Sequence, residues 1–263
     1  MAFFVTFLRQ NASLCFYILL ISLCIINKLT DMRLFLLLLI NFIVFPSLAQ
    51  DSTISFADAI KKNIKKYNSQ TDLAFDSGDI AKGNALFDSL VQNHLVGSRF
   101  DNYSFKCINS RKVKLEKIKK PVFIITYASW CVMNKGEIPA LNKLARKYDD
   151  DMQFIVVFWD MRSDVLKISR QFSHKIKVCY ANESYRNDAT VVATLKHTLG
   201  FPTSYFLNSD LQVVDIKRGG IAIPPGRISV KKAMEINYNV FNERLVSFLE
   251  KKDLNKEQIA NNE

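Results

Sequence analysis

Residues 121–128, Pro-Val-Phe-Ile-Ile-Thr-Tyr-Ala, are almost wholly apolar and lack the alternation of a half-exposed strand. Such a run predicts a strand covered on both faces of its sheet. Residues 152–159, Met-Gln-Phe-Ile-Val-Val-Phe-Trp, repeat the pattern, and 176–180 is a shorter strand. Two further pairs of runs read as hairpins. One joins 103–108 to 111–115 around Asn109-Ser110, and the other joins 203–207 to 211–216 around residues 208–210.

Helical spacing separates these strands. Phe56, Ala59, Ile60, Ile64 and Tyr67 fall on one helical face over 55–67, with Ser55 as N-cap. Ile80, Leu86, Phe87, Leu90 and Val91 do the same over 79–95, which Gly97 ends. Further helices are predicted at 132–148, 162–172, 189–199 (ended by Gly200) and 238–249. Strands alternating with helices, then a hairpin and a last helix, indicate an α/β fold with a central sheet flanked by helices. The expected organisation is a leader over 1–49, a helical extension over 50–98, the main domain over 99–250 and a polar tail over 251–263.

Two apolar stretches, 12–26 and 34–45, occupy the leader. Each falls short of the roughly 20 apolar residues of a spanning helix. The second follows Met32-Arg33 and leads into Pro46-Ser-Leu-Ala49, which is the three-part pattern of a secretory signal. The expectation is translation from Met32 and cleavage after Ala49, giving an exported, periplasmic or cell-envelope protein. The alternative is a membrane anchor formed by one or both stretches.

Net charge is +11, of which +2 lies before Gln50. The lysines are scattered in pairs such as Lys61-Lys62 and Lys231-Lys232, as on solvated faces, and no nucleic-acid motif accompanies them. His94, His174 and His197 show no metal-ligand spacing, and Arg218-Gly-Gly220 does not open a helix as a phosphate loop would. Neither a metal nor a cofactor is implied. Of five cysteines, Cys15 and Cys24 fall in the leader. Cys107 and Cys179 lie in strands, where small buried thiols are common. No two cysteines form a Cys-x-x-Cys pair, and an odd count after the leader leaves at least one thiol free or paired with another molecule.

The chemistry concentrates around Cys131. Tyr127-Ala-Ser-Trp-Cys131-Val-Met-Asn-Lys-Gly-Glu137-Ile-Pro139-Ala-Leu141 resembles the active-site stretch of the thioredoxin superfamily. The resemblance is to its exported TlpA/ResA-type thiol–disulfide oxidoreductases, which read Ala-Ser-Trp-Cys-x-Pro-Cys-x-x-Glu-x-Pro-x-Leu. It runs over about residues 99–249 and includes Gly200-Phe-Pro202-Thr203. It implies a thioredoxin-like fold with a mixed central sheet flanked by helices, to which the helices read over 50–98 add an N-terminal helical extension. It also implies a cis Pro202 lying against Cys131, with Phe201-Pro202-Thr203 and Trp130 facing an extended substrate. Glu137 aligns with the acidic residue that assists proton transfer near the sulfur. Its alternative is an exposed carboxylate in the first turn of a helix.

Two departures qualify this. The second cysteine of the family falls on Asn134, and the proline before it falls on Met133. Plain thioredoxin carries a buried Asp where this chain has Ile125. Cys131 is expected at the junction of a buried strand and a helix starting at Val132, where free N–H groups and the helix dipole favour thiolate. Asn134 then either donates a hydrogen bond to that thiolate or is simply a tolerated polar residue.

The leading expectation is a monothiol oxidoreductase with Cys131 as nucleophile. It would act on exported proteins carrying disulfides or thiols and be released by a small thiol, a client cysteine or a redox partner protein. A redox-inert module that holds an extended peptide beside Trp130 and Pro202 is the alternative. A peroxiredoxin-type peroxidase fits poorly, because its Pro-x-x-x-Thr-x-x-Cys signature would fall on Ile124 and Ala128.

Overall fold

Ser55 opens the first helix: its hydroxyl accepts from the Asp58 N–H at 3.1 Å and donates to the Asp58 carboxylate at 2.8 Å. A computed structural model describes residues 53–131, 134–221, 223 and 228–260, with side chains to residue 250. The leader, with the Met32 start and the Ala49 cleavage site, lies outside the described residues. Helix α1 spans Phe56–Asp76, longer than the sequence reading, because Thr71 and Ala74 continue its buried stripe. The Thr71 hydroxyl donates back to the Tyr67 carbonyl at 3.0 Å, so it enters that stripe with its bond made. Helix α2, Ile80–Leu90, passes into a π turn at Val91–Leu95, and Gly97 (φ 83°) turns the chain out.

The excursion closes on itself. Phe56 N–H donates to the Arg99 carbonyl at 2.8 Å, and Arg99 N–H donates to the Ile54 carbonyl at 3.0 Å. From there the chain enters a seven-stranded sheet in the order β2-β1-β5-β4-β3-β6-β7. The strands are β1 Ser104–Cys107, β2 Val113–Lys114, β3 Val122–Tyr127, β4 Gln153–Phe158, β5 Ile176–Tyr180, β6 Thr203–Leu207 and β7 Val213–Arg218. β3, β4 and β5 run parallel and every other pairing is antiparallel. All six residues of β3 are buried, as the unbroken apolar run predicts.

Alternate residues of the central strands feed two separate halves of the core. Val122, Ile124, Ile155, Val157 and Tyr205 meet Phe56, Ile60, Tyr67, Phe87 and Leu90 from α1 and α2. The segmented helix α5 covers the same face; it comprises Ala189–Val191, the π turn Val192–Lys196 and His197–Leu199. The helical extension is therefore part of the main core. On the opposite face Phe123, Ile125, Tyr127, Phe154 and Phe206 pack against α3 (Glu137–Lys147) and α6 (Val230–Ala260). α4, Arg162–Ser169, adds Val165. Each fully buried ring of this kind contributes about 1.5–3 kcal/mol. The architecture is the thioredoxin-like one: a mixed sheet flanked by helices, preceded by an N-terminal helical pair.

Three features differ from the sequence reading. α3 begins at Glu137 rather than Val132, and α6 begins at Val230 and runs through to Ala260. Cys107 and Cys179, read as small buried thiols, are joined in a disulfide. They occupy facing positions of β1 and β5, with Cα atoms 3.8 Å apart across 72 residues of sequence. Spacing alone gave no hint of this pairing, which follows from β1 docking on the edge of β5.

Candidate active site

Strands β3 and β4 end side by side, and their exits build the site. Ser129 follows β3 and is clamped by Asp160 after β4. One carboxylate oxygen accepts from the Ser129 N–H at 2.6 Å and the other from its hydroxyl at 2.9 Å. A turn follows, closed by Cys131 N–H donating to the Ala128 carbonyl at 2.9 Å. Cys131 sits on it half-buried and is the free cysteine among the described residues. α3 starts at Glu137, so Cys131 does not stand on the first turn of a described helix, where the sequence pattern places it.

Trp130 is 72% exposed. Its ring meets Phe201 edge-on, with centroids 5.6 Å apart at 76°. Phe201 and Pro202 are both partly exposed and their peptide bond is cis. The Pro202 carbonyl accepts from Gly219 N–H at 2.8 Å, which ties this loop to the end of β7. The structure thus brings Trp130, the neighbour of Cys131, against Phe201, the neighbour of Pro202. Thr203 does not join them. It is fully buried, and its hydroxyl donates to the Gly200 carbonyl at 2.9 Å, so its side chain supports the loop from within.

Tyr127, Glu137, Asn134 and Asn237 form a closed polar cluster. Glu137 is 4% exposed, contrary to the reading of an exposed first-turn carboxylate. Tyr127, buried at the end of β3, donates its hydroxyl to Oε1 of Glu137 at 2.5 Å. Burial pushes the Glu137 carboxyl above its ordinary value. The bond from Tyr127 and a backbone bond from Asn134 oppose that rise without cancelling it. Tyr127 is held well above its ordinary value, first by burial, then by the neighbouring Glu137 charge, with a smaller contribution from Cys131. The Tyr127 phenol is therefore within electrostatic reach of both the Glu137 carboxyl and the Cys131 thiol.

Asn134 belongs to this cluster rather than to the sulfur. Its Nδ2 donates to Asn237 Oδ1 at 3.0 Å and to Glu137 Oε2 at 3.4 Å. Its Oδ1 accepts from Asn237 Nδ2 at 2.5 Å and from Gly136 N–H at 3.1 Å. Both hydrogens and both lone pairs of the amide are then used, leaving none for Cys131.

Sequence reasoning missed Tyr127, Gly136 and Asn237. A signal for Asn237 existed: Ala233, Asn237, Phe241, Leu245 and Phe248 form the buried stripe of α6, and Asn237 is its polar member. Starting that helix at residue 238 hid it. Gly136 lies so close to α6 that a Cβ there would fall 2.1 Å from Met234 N and 2.2 Å from Ala233 C. Only glycine permits that approach.

No family model matches the chain. It is 24% identical over 124 residues to the thioredoxin-like protein YneN of Bacillus subtilis (strain 168), covering 47% of this chain and 71% of that one. Among solved structures, it is similar to the thioredoxin domain of a thiol-disulfide oxidoreductase from Bacteroides vulgatus (17% identity, TM-score 0.42, 56% of this chain and 96% of that chain). It is also similar to StoA from Bacillus subtilis (14% identity, TM-score 0.36, 51% and 94% covered).

Proposed function

We propose that the chain is an exported, TlpA/ResA-like monothiol–disulfide oxidoreductase that acts on protein disulfides through Cys131. One observation carries the reading: Cys131 is free and half-exposed next to Trp130, whose ring packs on Phe201 of the cis Phe201–Pro202 bond, while Cys107 and Cys179 are bonded to each other. The Cys131 thiolate attacks one sulfur of a client disulfide. A bond forms between Cys131 and that sulfur, and the other client sulfur leaves as thiolate and takes a proton. An external thiol then attacks the client sulfur of the mixed disulfide and returns Cys131 as thiolate, because Asn134 stands where the two-cysteine enzymes hold the resolving thiol.

The clients are exported proteins with disulfides or thiols, and a small thiol or a redox partner protein supplies release. Export is supported by the signal pattern before Gln50 and by the Cys107–Cys179 disulfide, since such bonds persist in oxidising compartments. Among the described residues no helix is long and apolar enough to cross a membrane.

A second reading, a redox-inert peptide-binding module, is favoured by the start of α3 at Glu137, well past Cys131. Disulfide exchange in insulin driven by reduced glutathione separates the two. The oxidoreductase reading expects acceleration by the wild type and none by Cys131→Ser. Equal rates for the two proteins overturn it.

A further inference from the structure

The second-cysteine position of this chain is wired to its last helix. Asn237 of α6 is fully buried, 103 residues from Asn134, and the two side-chain amides bond reciprocally. Asn237 Nδ2 is held in turn by the Ala233 carbonyl of its own helix at 2.7 Å, which fixes the amide's orientation. On the other side, Asn134 receives Gly136 N–H on its oxygen and spends its second hydrogen on Glu137 Oε2. The chain of contacts thus runs from the α6 backbone through Asn237 and Asn134 to the carboxyl of Glu137. The other oxygen of that carboxyl holds Tyr127.

Resting on the oxidoreductase reading, we infer that Asn237 is a positioning residue of the active site: acting through Asn134, it fixes the approach to Gly136 and sets the proton affinity of Glu137.

A merely structural role for Asn237 would need one good bond inside the helix, and the Ala233 carbonyl already supplies that. What remains is an amide turned toward the loop, meeting Asn134 with complementary donor and acceptor. An apolar residue at 237 would leave Asn134 with an unmatched N–H and one bond fewer on its oxygen in a half-buried place, which is costly. Asn134 would then turn toward water and release Glu137 Oε2. Losing a donor to the carboxylate disfavours its charged form, so Glu137 would keep its proton to higher pH. The titratable group acting on Glu137 is Tyr127 from β3, which in turn feels Cys131 from the loop, and α6 contributes the neutral Asn237.

The test is the pH dependence of Cys131 alkylation by iodoacetamide in the full chain, read on the Cys131 peptide by mass spectrometry. Glu137 ionising against Tyr127, which also feels Cys131, puts an inflection in that profile, and Glu137→Gln removes it. Asn237→Ala and Asn134→Ala each move the inflection upward by about 0.5 unit or more, a threefold or larger change in proton affinity. The double variant moves it no further than either single, because both cut the same chain of contacts. An inflection unmoved in folded Asn237→Ala, or additive shifts in the double variant, overturns the inference while leaving Cys131 chemistry intact. Should Asn237→Ala fail to fold, Asn134→Ala decides alone: an unmoved inflection overturns the inference. Failure of the oxidoreductase reading is separate and shows as insulin exchange indifferent to Cys131→Ser.

Discussion

Tyr127 at the end of β3 donates its hydroxyl to Glu137 at the start of α3 across 2.5 Å, both groups being sealed from solvent behind the Cys131 loop. A strand end and a helix start are joined through a group that titrates. The carboxyl has a raised proton affinity in the folded chain and its ordinary value, 4.5, in the unfolded one. The folded state therefore binds the proton more tightly. The stability this contributes is fully present below pH 4.5 and is lost as pH rises through the higher folded value. Urea unfolding from pH 4 to 8 should show wild-type stability falling relative to Glu137→Gln as pH rises. A constant difference between the two proteins would contradict this.

Gly136→Ala should be strongly destabilising. The added Cβ meets backbone atoms of Met234 and Ala233, not a flexible side-chain end, so α6 or the loop must shift. A cost of about 2–3 kcal/mol in urea unfolding is expected, as for overpacking in other cores. A change under 0.5 kcal/mol would show that α6 moves freely there.

Replacing both Cys107 and Cys179 by Ala should lower stability by up to about 4 kcal/mol, because the bond closes a long loop. Rates of insulin exchange by Cys131 should stay within about twofold of wild type, since the bond lies two strands away from β3. A large loss of exchange in a protein that remains folded would tie the disulfide to the reaction.

Trp130→Ala should leave stability within about 0.5 kcal/mol, since the ring is mostly exposed. It should slow exchange with a folded protein disulfide several-fold while hardly changing exchange with oxidised glutathione. Equal slowing of both would mean that Trp130 acts on the sulfur itself rather than on the client.

How much of this could be read from the chain depended on how local the cause was. Unbroken apolar runs gave β3 and β4 because a doubly covered strand has no polar face to show. Gly200 marked the end of α5 because its φ of 73° suits a residue without a side chain. The start of α3 was misplaced although a local signal was present. Pro139 would be interior to a helix begun at Val132, where it removes a hydrogen bond and clashes with the preceding turn. Begun at Glu137, the helix has Pro139 in its first turn, where the N–H has no partner to lose. The disulfide and the Asn134–Asn237 pair were not legible, being set by how distant strands and helices dock. Thr203 was assigned to the substrate side by its neighbours, yet it is fully buried and its hydroxyl is spent on the Gly200 carbonyl.

The backbone clip between Phe56 and Arg99 bears on the order of assembly. It returns the chain to its starting point after the α1–α2 pair, so the contacts within that pair span short stretches of sequence. The pairing of Ile124 with Tyr205, by contrast, joins residues far apart. Contacts of low contact order form fastest, because little chain entropy is lost before they are made. The α1–α2 hairpin can therefore gather first, and its row of Phe56, Ile60 and Tyr67 then offers the slower sheet an apolar surface on which to collect.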